Sequence, residues 1–171
     1  GPASIPPLVG EGAPSVVAVV VTKDPDAALD EVLEGLVSQE YANLSVLVID
    51  AGSTVDPTVQ IAGTAPSAFV KRVGRTSGFA AAANGVFGVI EGATFFLFLH
   101  DDAQLAPAAV QSMVAEAFHA NAGIVGAKLV DWDDPKVLRS VGSGSDRFGF
   151  RLPISEPGEL DQSQHDAPGD V

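Results

Sequence analysis

Two adjacent carboxylates, Asp101 and Asp102, stand directly after an apolar run and could bind a divalent cation. The run covers residues 94–99 and is followed by His100, in the order FLFLHDDAQLAP. Mg²⁺ and Mn²⁺ prefer oxygen ligands and are often held by one or two protein carboxylates together with phosphate oxygens. The stretch therefore suggests a metal-bridged phosphate ligand. The alternative interpretation is that both acids are solvated loop residues and that His100 is a polar filler.

Three further polar segments, two of them containing glycine, follow predicted strands. Residues 22–24 read Thr-Lys-Asp, residues 50–54 read Asp-Ala-Gly-Ser-Thr, and residues 74–78 read Gly-Arg-Thr-Ser-Gly. Each has an ordinary explanation when taken alone, because Asp50 with Ser53 could form a turn and a helix cap, and glycines mark loops. In open α/β sheets, however, ligands bind beyond the carboxyl ends of the strands. Four such ends together indicate a binding site.

An alternation of strands and helices must position these segments. Residues 16–22 and 44–50 are continuous apolar runs, which are typical of strands buried on both faces of a parallel sheet. Between them, Asp24 is predicted to cap a helix whose first position is Pro25 and whose apolar residues recur at helical spacing.

The alternation continues to residue 130. Further strands are predicted at 68–73, 94–99 and 124–130, and further helices over 77–92 and 107–123. This order predicts an α/β fold with a mostly parallel sheet and helices on both of its faces. The Gly-rich residues 142–149 favour a hairpin.

Composition limits the classes of function. The chain has 171 residues, of which 46% are hydrophobic, so it can bury a core. A net charge of −13 argues against nucleic acid as a partner, because phosphate contacts need a basic surface. The absence of cysteine excludes disulfides and thiolate metal sites. The apolar runs are too short to span a bilayer, so no membrane span is predicted here, and no signal peptide is visible.

Three segments are predicted along the chain. Residues 1–14 are expected to be a flexible lead-in, residues 15–150 a ligand-binding domain, and residues 151–171 a polar, acidic segment.

The spacing of these motifs resembles family 2 glycosyltransferases, which have the GT-A fold. In that family the first strand ends in Thr, here Thr22, and the second in Asp-x-Gly-Ser-Thr, here beginning at Asp50. The segment GRTSGFAAAANGV resembles the family's Gly-Phe-Ala-Ala-Ala-x-Asn signature, and His-Asp-Asp falls where the family carries its Asp-x-Asp metal motif. The resemblance covers about residues 15–130, and KLVDWDDP and GELDQSQHD resemble segments of actinobacterial members.

The resemblance implies a GT-A (Rossmann-like) domain that binds a nucleoside-diphosphate sugar of the UDP or dTDP type. It implies that Asp50 accepts a hydrogen bond from the base, that Thr22 lines the base or ribose, and that Arg75 contacts phosphate. Gly78 would allow close backbone approach, and Asn84 would support the pocket from its helix. The implied donor-binding residues are Thr22, Asp50, Gly52, Arg75, Gly78, Asn84, His100 and Asp101.

The resemblance also implies a divalent cation, Mg²⁺ or Mn²⁺, that bridges the diphosphate. Aligned on the strand, His100 takes the first Asp position, Asp101 the middle and Asp102 the second. Asp102 is the implied metal ligand and Asp101 a second candidate, while His100 would either replace a ligand or contact the ribose.

No catalytic residue is assigned. Inverting members of the family use a carboxylate general base in the acceptor half, which is expected beyond Val171. The chain is therefore expected to be an N-terminal donor-binding half, truncated before the acceptor half and inactive alone. The acids at 131–134 are interpreted as a loop cap, and His165-Asp166 as part of a polar tail.

The resulting hypothesis is a glycosyltransferase that transfers a sugar to a glycan or lipid-linked acceptor in cell-envelope polysaccharide synthesis. The expected location is cytoplasmic, with attachment to the inner face of the plasma membrane through other parts of the protein left open. The alternative is a non-catalytic GT-A-like structural or interaction module. A dinucleotide-binding oxidoreductase would need Gly-x-Gly-x-x-Gly after the first strand, where TKDPDA stands instead.

Overall fold

The computed structural model describes residues 12–75, 81–82, 90 and 92–121, and the backbone of four short strands after residue 128. The chain forms two compact units, Pro6–Gln111 and Gly1–Ile5 with Ser112–Val171. In the described part of the chain no helix is long and apolar enough to cross a bilayer.

A four-stranded parallel sheet is the frame of the first unit. Its elements are β1 (Val16–Thr22), α1 (Ala27–Val37), β2 (Leu44–Ala51), α2 (Thr58–Thr64), β3 (Phe69–Val73) and β4 (Phe95–His100). The strand order is β3-β2-β1-β4, and each neighbouring pair is parallel. The predicted α/β fold with a mostly parallel sheet is confirmed, and the four predicted strands agree with the observed ones to within one residue at each end.

The core lies on both faces of this sheet, which explains the unbroken apolar runs of β1 and β2. On one face, Val20 and Val48 pack against the apolar stripe of α1, including Leu33. On the other face, Val19 packs in a cluster with Ala82, which belongs to the helical pair 81–82. Most of the helix predicted over 77–92 lies outside the described residues.

The start of α1 differs from the prediction. Asp26 is its N-cap and accepts a hydrogen bond from the backbone N–H of Ala28, so the helix begins two residues later than Pro25. Asp24 has a left-handed backbone with φ of 47°. Its carboxylate instead accepts the N–H of Thr54 at 2.7 Å. The predicted cap at Asp24 is wrong because its carboxylate accepts a hydrogen bond from the loop after β2 instead of from the start of α1.

The helix predicted over 107–123 is shorter in the structure, where α3 covers Ala109–His119. Its N-terminal turn is held by Gln39, whose Oε1 accepts the N–H of Val110 while its amide donates to Ala106. The second unit contains two antiparallel pairs, β5 (Leu129–Val130) with β6 (Leu138–Ser140), and β7 (Ser143–Ser145) with β8 (Arg151–Pro153). Residues 124–128 of the predicted fifth strand lie outside the described residues.

Candidate functional site

The four parallel strands end at one edge of the sheet, called here the carboxyl edge, and their register determines what stands there. Val20 pairs with Val48 and with Leu99, and Val48 pairs with Val70. These four residues form an aliphatic row across the sheet, packed in the same core cluster as α1 and α2. Side chains two residues apart on a strand share a face, so the next step on the same face is also in register.

That next step is a row of polar side chains. Thr22 pairs with Asp50, and Asp50 pairs with Arg72. Asp101 directly follows β4, and its Oδ2 accepts a hydrogen bond from Thr22 Oγ1 at 2.7 Å. We call Arg72, Asp50, Thr22 and Asp101 the polar row. It continues the aliphatic row at the carboxyl edge, so the strands that build the core also align these four side chains.

Asp50 is the most buried member of the polar row, with no exposed surface. Its Oδ1 accepts hydrogen bonds from the N–H of Ser53 at 3.1 Å and the hydroxyl of Ser53 at 2.5 Å. Its Oδ2 accepts from Nε of Arg72 at 2.8 Å. Burial alone raises the pKa of Asp50, but the hydrogen bonds from Ser53 and Arg72 outweigh it and hold the pKa below its ordinary value. The carboxylate is therefore ionised at neutral pH.

Arg72 is a site residue that the sequence analysis missed. Besides its pair with Asp50, it donates from a terminal nitrogen to the carbonyl oxygen of Ser53 at 3.1 Å. Its other terminal nitrogen lies 3.5 Å from Oδ2 of Asp56. Arg72 thus connects β3 to Asp50 in β2 and, at two further points, to the loop that follows β2. The alternation in FVKRV was the available indication, since it puts Arg72 and Val70 on one face.

Hydrogen bonds join the loop after β1 to the loop after β2. The N–H of Asp24 donates to the hydroxyl of Ser53 at 2.7 Å, and the same hydroxyl donates to Asp50. The carboxylate of Asp24 receives the N–H of Thr54 in return. Through Ser53, the backbone of the loop after β1 therefore orients the buried carboxylate of Asp50 at the end of β2.

The residues proposed for a cation lie at the end of β4. Asp101 is half-buried and bonded to Thr22, whereas Asp102 is exposed. His100 pairs with Val21, one register step before Thr22, so it lies on the opposite face from the polar row. The described residues contain no group of three or more His, Asp or Glu side chains able to hold a metal by themselves. One or two carboxylates suit a cation whose remaining ligands are phosphate oxygens and water.

The remaining predicted residues divide into described and undescribed ones. Gly52 has a positive φ of 86°. It also packs closely against Arg75, because a Cβ atom at this position would lie 3.1 Å from the backbone nitrogen of Arg75. Arg75 is exposed, as is Lys23. Gly78 and Asn84 lie outside the described residues. The carboxyl edge therefore carries Thr22, Asp50, Gly52, Arg75, Asp101 and Asp102, with His100 at the same edge on the opposite face from the polar row.

This sequence matches the family model of glycosyl transferase family 2 over residues 16–167. The chain belongs to glycosyl transferase family 2. The family predicted from the motifs Asp-x-Gly-Ser-Thr and Gly-Phe-Ala-Ala-Ala-x-Asn is thereby confirmed. No curated protein matches the sequence significantly.

Solved structures resemble this family 2 domain in fold. Residues 1–349 of TarS from S. aureus align with a TM-score of 0.55 at 17% identity, over 74% of this chain and 42% of that one. The same fragment in complex with UDP aligns with a TM-score of 0.55 at 19% identity, over 74% and 42% of the two chains. Mannosyltransferase PcManGT from Pyrobaculum calidifontis, in complex with GDP-Man and Mn²⁺, aligns with a TM-score of 0.53 at 23% identity, over 71% and 37%.

These likenesses and the parallel sheet establish the GT-A, Rossmann-like fold for this family 2 chain. The chain spans less than half the length of each of these solved structures.

Proposed function

We propose that this chain binds a nucleoside-diphosphate sugar of the UDP or dTDP type, with a divalent cation, for transfer to a glycan or lipid-linked acceptor. The proposed setting is cell-envelope polysaccharide synthesis by an actinobacterial-type enzyme, in the cytoplasm at the inner face of the plasma membrane. The observation that carries the proposal is the polar row, in which ionised Asp50 and the carboxylate of Asp101 flank Thr22 at the carboxyl edge. The solved complexes of TarS with UDP and of PcManGT with GDP-Man and Mn²⁺ support the ligand class.

In this proposal Asp50 accepts a hydrogen bond from the base. An ionised carboxylate only accepts hydrogen bonds, and its two oxygens offer about four acceptor positions. Three of them receive the described bonds from Ser53 and Arg72, so capacity remains for one donor on the base. Because Asp50 has no exposed surface, the covering side chains must shift when the base binds. Thr22 would lie beside the base or ribose.

The diphosphate would lie beyond the carboxyl edge, next to the end of β4. Asp102, with Asp101 as second ligand, would hold Mg²⁺ or Mn²⁺, which when bound offsets the negative charge of the diphosphate leaving group. Arg75 is exposed at the end of β3 and would contact a phosphate oxygen. The family resemblance implies the remaining roles. Gly78 would allow the backbone to approach the ligand closely, and Asn84 would support the pocket from its helix. His100 would replace a metal ligand or contact the ribose, and Gly52 completes the proposed set.

An inverting transfer also requires a base that takes the proton of the acceptor hydroxyl. None of the residues that the structure describes is assigned this role. We therefore expect residues 1–171 alone to bind nucleotide and to transfer little or no sugar, which a radiolabelled-donor assay would measure.

Calorimetric titration with UDP and dTDP, in Mn²⁺ and in chelator, tests the proposal. The diphosphate and a chain of net charge −13 repel each other, so we expect Mn²⁺ to tighten binding by about tenfold or more. Asp102→Asn should remove most of that gain. Asp50→Ala should weaken binding to the same extent in both conditions, because its partner is the base. Glu31→Gln, an equal charge change on the exposed face of α1, is the matched control and should change neither value.

Two outcomes would count against the proposal. Failure of the wild type to bind either nucleotide would refute it. Binding that is indifferent to Mn²⁺ would favour a non-catalytic module of the same fold, an alternative that His100 in the first position of the metal motif supports.

A further inference from the structure

The pair formed by Arg72 and Asp50 has a consequence for which bases the site accepts. Nε of Arg72 lies 2.8 Å from Oδ2 of Asp50, and the side chain of Asp50 is completely buried while that of Arg72 is 45% exposed. We propose that Arg72 is a positioning residue that fixes base selection, by keeping Asp50 a carboxylate that accepts hydrogen bonds and cannot donate them. This inference rests on the proposed nucleotide binding at Asp50.

Protonation would reverse the chemistry of Asp50. As a carboxylate it accepts, but as a carboxylic acid it carries an O–H donor. Burial favours the neutral acid because it removes the charge from water. The hydrogen bonds from Ser53 and Arg72 oppose this and lower the pKa of Asp50. Ser53 contributes neutral donors, so Arg72 supplies the positive charge of the arrangement.

The other charged groups near Asp50 are acidic. Asp56 lies on the far side of Arg72, Asp24 is linked to Asp50 through the hydroxyl of Ser53, and Asp101 is linked to its neighbour Thr22. Each negative charge favours proton uptake by Asp50. Among the described residues, Arg72 is the one basic side chain that forms an ion pair with Asp50. Removing its charge should therefore raise the pKa of Asp50.

Uracil and cytosine distinguish the two protonation states. Uracil presents an N–H at ring position 3, which a carboxylate accepts. Neutral cytosine presents a lone pair at the same position, which a carboxylate repels and a carboxylic acid can satisfy by donating. The wild type should therefore prefer UDP over CDP by a ratio that does not change with pH.

The experiment measures the dissociation constants of UDP and CDP over a pH range in which cytosine stays unprotonated. In Arg72→Gln, the preference for UDP should fall as the pH is lowered, by up to about tenfold for each pH unit below the pKa of Asp50. Arg72→Lys keeps the charge and should restore a constant ratio. Lys71→Gln is the matched control, because it makes the same charge change one residue away on the opposite face of β3.

The outcomes separate the inference from its premise. A purely structural role for Arg72 would weaken UDP and CDP equally and leave their ratio independent of pH, which overturns the inference while nucleotide binding stands. A wild type that binds neither nucleotide overturns both. If Arg72→Gln does not fold, the ¹³C shift of the Asp50 carboxyl is followed in Ser53→Ala, which loses the Ser53 hydroxyl donor and keeps Arg72. The carboxyl should stay ionised at neutral pH in this variant, and a titration near neutral pH would refute the role given to Arg72.

Discussion

Gly52→Ala should destabilise the first unit more than alanine does at Gly35, Gly63, Gly74 or Gly92. Gly52 combines a left-handed φ of 86° with crowding, since a Cβ atom would lie 3.1 Å from both the nitrogen and Cγ of Arg75 and 3.3 Å from its Cα. Two of these three atoms belong to the backbone, so they cannot be relieved by a rotamer change. The segment after β3 would have to move by a few tenths of an ångström.

The magnitude follows from three terms. A left-handed backbone destabilises the folded state by about 1–2 kcal/mol when the residue is not glycine. Alanine also lowers the conformational entropy of the unfolded chain, which stabilises the folded state by about 0.5 kcal/mol. Crowding of a packed site adds about 1–3 kcal/mol. Gly52→Ala should therefore lower the free energy of unfolding by about 1.5–4.5 kcal/mol in total.

Two other glycines serve as matched controls. Gly92 has a φ of 85° but nothing within 4 Å of a built Cβ, so Gly92→Ala should cost about 1 kcal/mol from backbone strain alone. Gly63 lies in α2 in open space, and alanine there should stabilise by about 0.5 kcal/mol. Urea unfolding followed by circular dichroism measures all three. Equal losses for Gly52→Ala and Gly92→Ala would refute the crowding by Arg75.

Three further predictions concern described hydrogen bonds. Gln39→Ala removes bonds to Gly35, Ala106 and Val110, and should lower the free energy of unfolding by about 1–3 kcal/mol in urea titrations; an unchanged midpoint would contradict this. Because the pKa of Asp50 is lowered in the folded chain, its contribution to stability is complete above about pH 4 and is lost as the pH falls through its folded pKa. Urea unfolding at a series of pH values should show this loss in the wild type and a shallower one in Asp50→Asn. Thr22→Val removes the hydrogen bond to Asp101, so it should reduce the Mn²⁺-dependent gain in UDP affinity in calorimetry, but by less than Asp102→Asn does. An unaltered gain would show that Asp101 is oriented without this bond.

The strands and the family were predictable because both depend on local sequence. The run VVAVVVT is β-branched and unbroken, and a strand in the middle of a parallel sheet is buried on both faces. The ligand-binding edge followed from that assignment, since parallel strands end together. Asp50 and Asp101 were therefore expected at one edge before their register was known.

Two features of the site depend on contacts that the sequence does not display. Asp24 and Asp26 are equally good local caps, and the choice between them is made by the N–H of Thr54, which lies thirty positions along the chain. Arg72 became part of the site because β3 pairs with β2 in the register that sets it opposite Asp50. A short strand with half-buried residues does not reveal its register by pattern alone.

The shared register of the aliphatic row and the polar row limits where this sequence can change in length. One residue inserted within β2, for example after Val46, would turn every later side chain of that strand to the other face. The same insertion would therefore remove Asp50 from its position beside Thr22 and Arg72 and remove Val48 from the core. One residue inserted in the exposed turn at 66–67 would disturb neither row. Over evolution, deletions and insertions in this domain should therefore accumulate in its connections and be eliminated from its strands.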